Sequence, residues 1–261
     1  MSEVTPGSLM DYTVAAVDEA LGLLFLVAEN PGLGVTELAK RSSNTKARAF
    51  RLLSTLEGRG FVQRHGDPAV YKLGHRTLLL GIAAQAQIDL VSLAQRHLND
   101  LGQRFNETVH VRVRDGLESV CVAMYESTRD VRVGTHLGKR RPLHAGSSGK
   151  VLLAFGSDDI REAILNSELT RYTPQTIVQR GKLAQELAKV KAQGYATSFG
   201  EVATDIRSLA VPVRDAKGLV GTMGMSVPAN RASEEAMAVF VQEVVAKAKL
   251  LSAELGYREP R

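Results

Sequence analysis

Apolar residues recur at helical spacing from Val14 to Glu29, at Val14, Val17, Leu21, Leu24, Phe25 and Ala28, and Asn30-Pro31-Gly32 then ends the repeat. Steps of three and four residues keep side chains on one side of a helix, so this stretch predicts an amphipathic helix. A short second segment, Glu37 to Arg41, follows Thr36 and offers Leu38 and Ala39 to a core before the polar break Ser42-Ser43-Asn44. The third helix is predicted from Thr45 to Glu57, with Ala49, Leu52, Leu53 and Leu56 as its apolar stripe and Gly58 to Gly60 at its end. Phe61 to Arg64 and Val70 to Leu73 then read as two strands of a hairpin around His65-Gly66-Asp67-Pro68. Two helices across a tight turn, followed by a hairpin, is the order of a winged helix-turn-helix.

From His75 to Arg104 the period is helical again, with a break near Ile88-Asp89. This predicts a linker helix over Thr77 to Gln87 and then the first helix of a second domain. Strands are predicted at Thr108 to Arg114 and Ser119 to Glu126, around the hairpin signal Asp115-Gly116, with a third at Val131 to Leu137. Helices follow at Lys150 to Phe155, Asp158 to Asn166 and Lys182 to Gln193. Two more strands, Arg207 to Arg214 and Leu219 to Val227, flank a turn, and a last helix runs from Glu234 to Leu255. Strand pairs mixed with helices, without regular strand-helix alternation, predict an α+β class. The expected division is 1–76 for the winged helix-turn-helix, 77–88 for the linker helix and 89–261 for the second domain.

The 261 residues are 44% hydrophobic and 23% charged, enough apolar material for two globular cores. No uncharged apolar run approaches the roughly 18–20 residues of a membrane span, and the first residues lack a basic stretch leading into an apolar one. Cys121 stands alone and cannot form an internal disulfide. A cytoplasmic protein without membrane association is expected.

Charge changes the picture more than composition does. Between Lys40 and Arg76 nine basic residues face only Glu57 and Asp67, an excess of seven that exceeds the whole chain's +5. A solvated face and a polyanion-binding surface both fit such a run. On the third helix, however, Lys46, Arg48 and Arg51 lie on or beside the face opposite the apolar stripe. The major groove of B-DNA admits one such helix, so Thr45, Lys46, Arg48 and Arg51, with Arg64 and Lys72 on the hairpin, are the candidate DNA contacts.

In the second half, Gly146-Ser147-Ser148-Gly149-Lys150 has only the look of a phosphate loop. His144 stands where the first glycine is needed and Val151 where Ser or Thr must follow the lysine. Glycine and serine ahead of an apolar helix leave backbone N–H groups and the helix dipole aimed at one spot, which suits a carboxylate; a capped helix with no ligand is the alternative. Six scattered histidines show no HxH or HExxH spacing, and Ser147 and Ser148 lie in no Gly-x-Ser-x-Gly elbow. No metal, cofactor or catalytic residue is expected.

Several blocks, in order, resemble the IclR family of bacterial transcription regulators. They are Val35 to Arg41 and Arg51 to Glu57, then Pro142 to Lys150, Gly194-Tyr195 through Gly200-Glu201, and Leu209 to Val213. The resemblance implies a winged helix-turn-helix joined by a linker helix to a GAF-like α/β ligand-binding domain. It implies a regulator that binds double-stranded operator DNA as a homodimer or homotetramer, the linker helix making a dimer contact, and that responds to a small carboxylate effector. By motif position Gly146, Ser147, Ser148, Ser198, Ser208, Gly224 and Ser226 would hold the effector, with Leu137, Leu209 and Met223 favouring larger or aromatic acids. Ser43-Asn44 replaces the family's usual Gly-Leu in the turn, and Ser208 stands where some members carry Cys. A GAF-like sensor acting through a protein partner is the alternative, and it would leave the basic segment idle.

Overall fold

The computed structural model describes residues 13–87 and 89–258. Contacts divide the chain after Gln87 into two units.

The first unit holds α1 (Ala15–Glu29), α2 (Val35–Arg41), α3 (Lys46–Gly58), the hairpin β1 (Val62–His65) and β2 (Val70–Leu73), and α4 (His75–Gln87). Leu23 and Val27 of α1 meet Leu38 and Ala39 of α2, Ala49 and Leu53 of α3, and Val62 and Tyr71 of the hairpin in one small core. The buried face of α1 is not the one expected from its spacing. Val14, Val17, Leu21 and Phe25 are all about half or more exposed. Apolar residues surround much of α1, so periodicity alone does not select the face that the other helices cover.

Between α2 and α3, Ser43 adopts φ +55°, the left-handed conformation that glycine takes without a steric cost. Asn44 secures the same turn, its side chain donating to the Ser42 carbonyl and hydroxyl.

The second unit begins with α5 (Asp89–Phe105) and continues through β3 (Thr108–Asp115), β4 (Glu118–Tyr125), β5 (Arg140–Pro142), α6 (Ser147–Phe155), α7 (Asp158–Asn166) and α8 (Arg180–Gln193). It ends with β6 (Ala196–Phe199), β7 (Ile206–Asp215), β8 (Gly218–Pro228), a 3-10 turn and α9 (Glu234–Glu254). Its sheet runs β5-β4-β3-β8-β7-β6, every pairing antiparallel. Two expectations are corrected. Val131 to Leu137 is not a strand, since Val131 and Leu137 are exposed and no neighbouring strand pairs with that segment. The sheet's ends are instead Arg140–Pro142 and Ala196–Phe199, strands of three and four residues, too short to show alternation.

Period-two alternation gives the sheet two chemically different faces. Val109 and Val111 of β3, Leu209, Val211 and Val213 of β7, and Met223, Met225 and Val227 of β8 pack with Leu98 and Leu101 of α5 and Val244 and Leu251 of α9. The opposite face carries Thr108, His110 and Arg112 of β3, Thr222, Gly224 and Ser226 of β8, and Ser208 and Ala210 of β7. There α6 covers Ala210 and Ala196 with Val151, Leu152 and Leu153. Gly149 lets the chain just after β5 pass close to α6, because a Cβ there would lie 2.4 Å from the Leu143 carbonyl oxygen. Among the described residues no single helix is long and apolar enough to cross a membrane.

Candidate functional site

Helix α3 begins on Thr45, whose hydroxyl accepts the Arg48 amide at 3.2 Å and caps the helix. Thr45, Lys46, Arg48 and Arg51 are all exposed along α3, as are Arg64 on β1 and Lys72 on β2. They differ in what holds them. Arg48 is engaged by Glu19 of α1, its Nη2 donating to Oε1 at 3.0 Å and its Nε to Oε2. Arg64 stands opposite Tyr71, its register partner across the hairpin. Lys46, Arg51 and Lys72 have no side-chain partner among the described residues. The Glu19–Arg48 pair was not visible in the sequence, since it joins residues 29 positions apart on different helices.

In the second unit, α6 and the polar face of the sheet line an open cavity of about 90 Å3. Its wall includes Gly146, Ser147, Ser148 and Gly149 of the α6 N-terminus, Ser208 and Ser226 of the sheet, and His110, Arg112 and Arg141. Val133, Gly134 and Thr135 flank it from the segment expected to be a strand, and among the described residues no acidic side chain lines it. Gly146 precedes α6 at φ +81°, a conformation that favours glycine. The Ser147 hydroxyl donates to Ser208 at 2.9 Å. Ser148 lies 3.4 Å from His110 Nε2.

The electrostatics are cationic. Arg112 is 4% exposed and donates to the Ser119 hydroxyl and to the Ser119 and Lys139 carbonyls, all neutral acceptors. Burial, with the Arg141 charge nearby, draws its pKa down to about 10, against an opposing effect of Cys121. Burial also pushes His110 down to about 3, with Arg112 and Arg141 adding to the shift. His110 is therefore a neutral imidazole, and its Nδ1 is buried without a hydrogen-bond partner. Neither arginine forms an ion pair with a carboxylate among the described residues.

The effector residues expected by motif position are only partly brought together. Gly146, Ser147, Ser148, Ser208 and Ser226 line the cavity. Gly224 sits beneath it on β8, where a Cβ would lie 3.0 Å from His110 Nε2. Ser198 does not line it: on edge strand β6, one strand beyond Ser208, it borders a separate recess beside Lys150, Glu186 and Glu201. Leu209 and Met223 are also corrected, because each lies one residue from a polar position and so faces the opposite, core side of the sheet. Leu137 is exposed.

The first-turn amides of α6 are not all available. Gly146 N donates to Glu201 Oε2 at 3.1 Å. The other Glu201 oxygen accepts from Lys150 Nζ at 2.7 Å, and the same ammonium donates to Glu186 Oε1 and the Thr197 carbonyl. The amides of Ser147, Ser148 and Gly149 have no partner within the helix, as is general for a helix start. Arg112 and Arg141 are the site residues that sequence reasoning missed. The alternation of β3, with Thr108, His110 and Arg112 between valines, was the available signal that Arg112 shares a face with His110.

A helix-turn-helix with a basic second helix, followed by an α+β domain containing a polar cavity, defines a DNA-binding regulator with an effector domain. Comparison with known proteins agrees. The profile for the bacterial transcriptional regulator IclR C-terminal domain matches residues 82–253, and that for the IclR helix-turn-helix domain matches residues 16–66. The HTH-type transcriptional regulator KdgR of Escherichia coli (strain K12) is 30% identical over 249 residues, 95% of each chain. XynR of the same organism is 28% identical over 247 residues, 94% of this chain and 98% of its own. The solved Thermotoga maritima IclR superposes with a TM-score of 0.71 at 30% identity, covering 93% of this chain and 99% of that one. The chain belongs to the IclR family of transcriptional regulators, which are DNA-binding proteins with a C-terminal effector domain, not enzymes.

Proposed function

We propose that this protein binds double-stranded operator DNA through α3 and the β1–β2 hairpin, and that a small carboxylate in the α6 cavity sets its DNA affinity. One observation carries the effector reading: the cavity joins helix-start amides, serine hydroxyls and two arginines, and no acidic side chain lines it. Such a wall attracts an anion and gives it hydrogen-bond donors. A volume of about 90 Å3, against roughly 300–1,000 Å3 for drug-sized sites, favours a compact aliphatic acid. The aromatic preference suggested by Leu209 and Met223 loses its support, because both side chains lie in the core.

The protein acts on DNA in the cytoplasm as a homodimer. Val17, Leu21 and Phe25 form an exposed apolar stripe on α1, and Leu78, Leu79 and Ile82 are exposed on α4. A second copy is the occupant that fits, because two α3 helices one DNA turn apart then match the two halves of a pseudopalindrome. The effector acts by binding one arrangement of the dimer better than another, a coupling of typically about 1–3 kcal/mol.

The test is fluorescence anisotropy of the full chain with its own upstream DNA and a scrambled duplex, at several salt concentrations, with and without a panel of short acids. Specific binding with a steep salt slope, shifted by one acid, is the expected result. Equal, weak binding to both duplexes would instead favour the sensor that acts through a protein partner.

A further inference from the structure

We propose that the effector cavity selects acids carrying two carboxylates, one held at the α6 N-terminus and the other by Arg112 and Arg141. The inference rests on the carboxylate reading above and adds the number and placement of the charges.

The cavity has two poles on the polar face of the sheet. At one, Ser208 and Ser226 are register partners on β7 and β8, and Ser226 pairs onward with Thr108 on β3. Ser147 reaches this row through its hydrogen bond to Ser208, so hydroxyls and the α6 amides converge there. At the other, Arg112 lies four residues further along β3, opposite Thr222. Four residues of strand span about 13 Å, and the Arg112 guanidinium turns toward Ser119, the register partner of Arg114. His110 stands between the poles, buried, with Nδ1 lacking a partner.

The poles also differ in charge. Around the α6 start, Glu201 already answers both the Gly146 amide and Lys150. Among the described residues no carboxylate answers the arginines: Arg112 is only 4% exposed, yet it bonds only to neutral oxygens. Two guanidinium groups at one cavity repel each other, and a buried cation without an anion is costly. A single carboxylate at the helix start leaves that cost in place, whereas a second carboxylate on the ligand removes it. Two separated poles also fit a diacid better than phosphate, whose charges share one centre.

The test is calorimetry on the full chain with malonate and succinate, the length-matched monoacids propionate and butyrate, and inorganic phosphate. We expect a diacid to bind at least tenfold more tightly than its matched monoacid. Arg141→Gln should reduce diacid affinity to the monoacid level while changing monoacid affinity less than threefold, and Arg141→Lys should retain part of the preference. A melting curve for each variant separates lost charge from lost folding, and the wild-type comparison requires no variant. Equal affinity for monoacid and diacid, both abolished by Ser148→Asp, would overturn the two-charge inference and leave the carboxylate site intact. Phosphate binding more tightly than either diacid would overturn the two-pole arrangement. If no acid binds, both the inference and the carboxylate reading fall.

Discussion

Lys150 Nζ and Glu201 Oε1 are 2.7 Å apart, and the other oxygen of the same carboxylate holds the Gly146 amide at 3.1 Å. This pair fastens the segment after β6 to the start of α6, and so fixes one wall of the cavity. Both side chains are almost entirely buried. Removing one member leaves an uncompensated charge in a low-dielectric site. Lys150→Met should therefore destabilise the protein by about 3–5 kcal/mol, read from chemical denaturation. The double variant Lys150→Met, Glu201→Gln should recover part of that loss, since the buried Glu201 charge is gone and only the more exposed Glu186 carboxylate is left without its partner. A loss below about 1 kcal/mol for the single variant would show that the pair behaves as a surface ion pair.

At the proposed DNA-binding helix, Glu19 holds Arg48 and would compete with phosphate for it. Glu19→Gln should tighten operator binding by freeing the guanidinium and removing a negative charge. Arg48→Ala should weaken it by about 1–3 kcal/mol if the side chain reads a base. Lys46→Ala and Arg51→Ala should each lower the salt slope by about one. Anisotropy titrations at three salt concentrations measure all four. Unchanged affinity in Arg48→Ala would assign that residue to bracing α1 against α3.

The turn between α2 and α3 carries removable strain at Ser43, φ +55°. Glycine adopts that conformation without the steric cost, though it leaves a more flexible unfolded chain. The net gain for Ser43→Gly should be about 0.5–1 kcal/mol, visible as a higher melting temperature. A lower one would mean that Ser43 stabilises the turn by contacts beyond its backbone.

His110 makes stability depend on pH. Its folded pKa of about 3 lies below the ordinary value near 6.5, so below that value the unfolded chain takes up the proton first. This contribution is complete above about pH 6.5 and declines as pH falls toward 3, by at most about 1.4 kcal/mol per pH unit. His110→Gln should flatten the slope between pH 6.5 and 5, measured by urea denaturation at pH 7, 6 and 5. Parallel curves for the two proteins would contradict a buried neutral imidazole.

Much of this was legible before any coordinates. The Ala49, Leu52, Leu53, Leu56 spacing gave α3, and the turn residues around Asp67 gave the hairpin. Gly146 to Gly149 was recognisable as a helix start with free amides because glycine conformation and unpaired N–H groups are local properties. Edge strand β6 was not, since four residues carry too little alternation. Leu209 and Met223 were placed at the cavity although period two turns each away from its polar neighbour, a step that needed the register of β7 on β8.

The sequence by itself determined the type of the longer elements, the basic face of α3, the family and the chemistry of the α6 loop. All of these follow from residues within a few positions of one another, or from blocks in a fixed order. Tertiary structure alone decided which face of α1 is buried, that Glu19 holds Arg48, and that Arg112 and Arg141 meet Ser148 at one cavity. These relationships join distant residues, and packing sets them, because covering one apolar face or pairing one strand register excludes the alternatives that local periodicity leaves equally favourable.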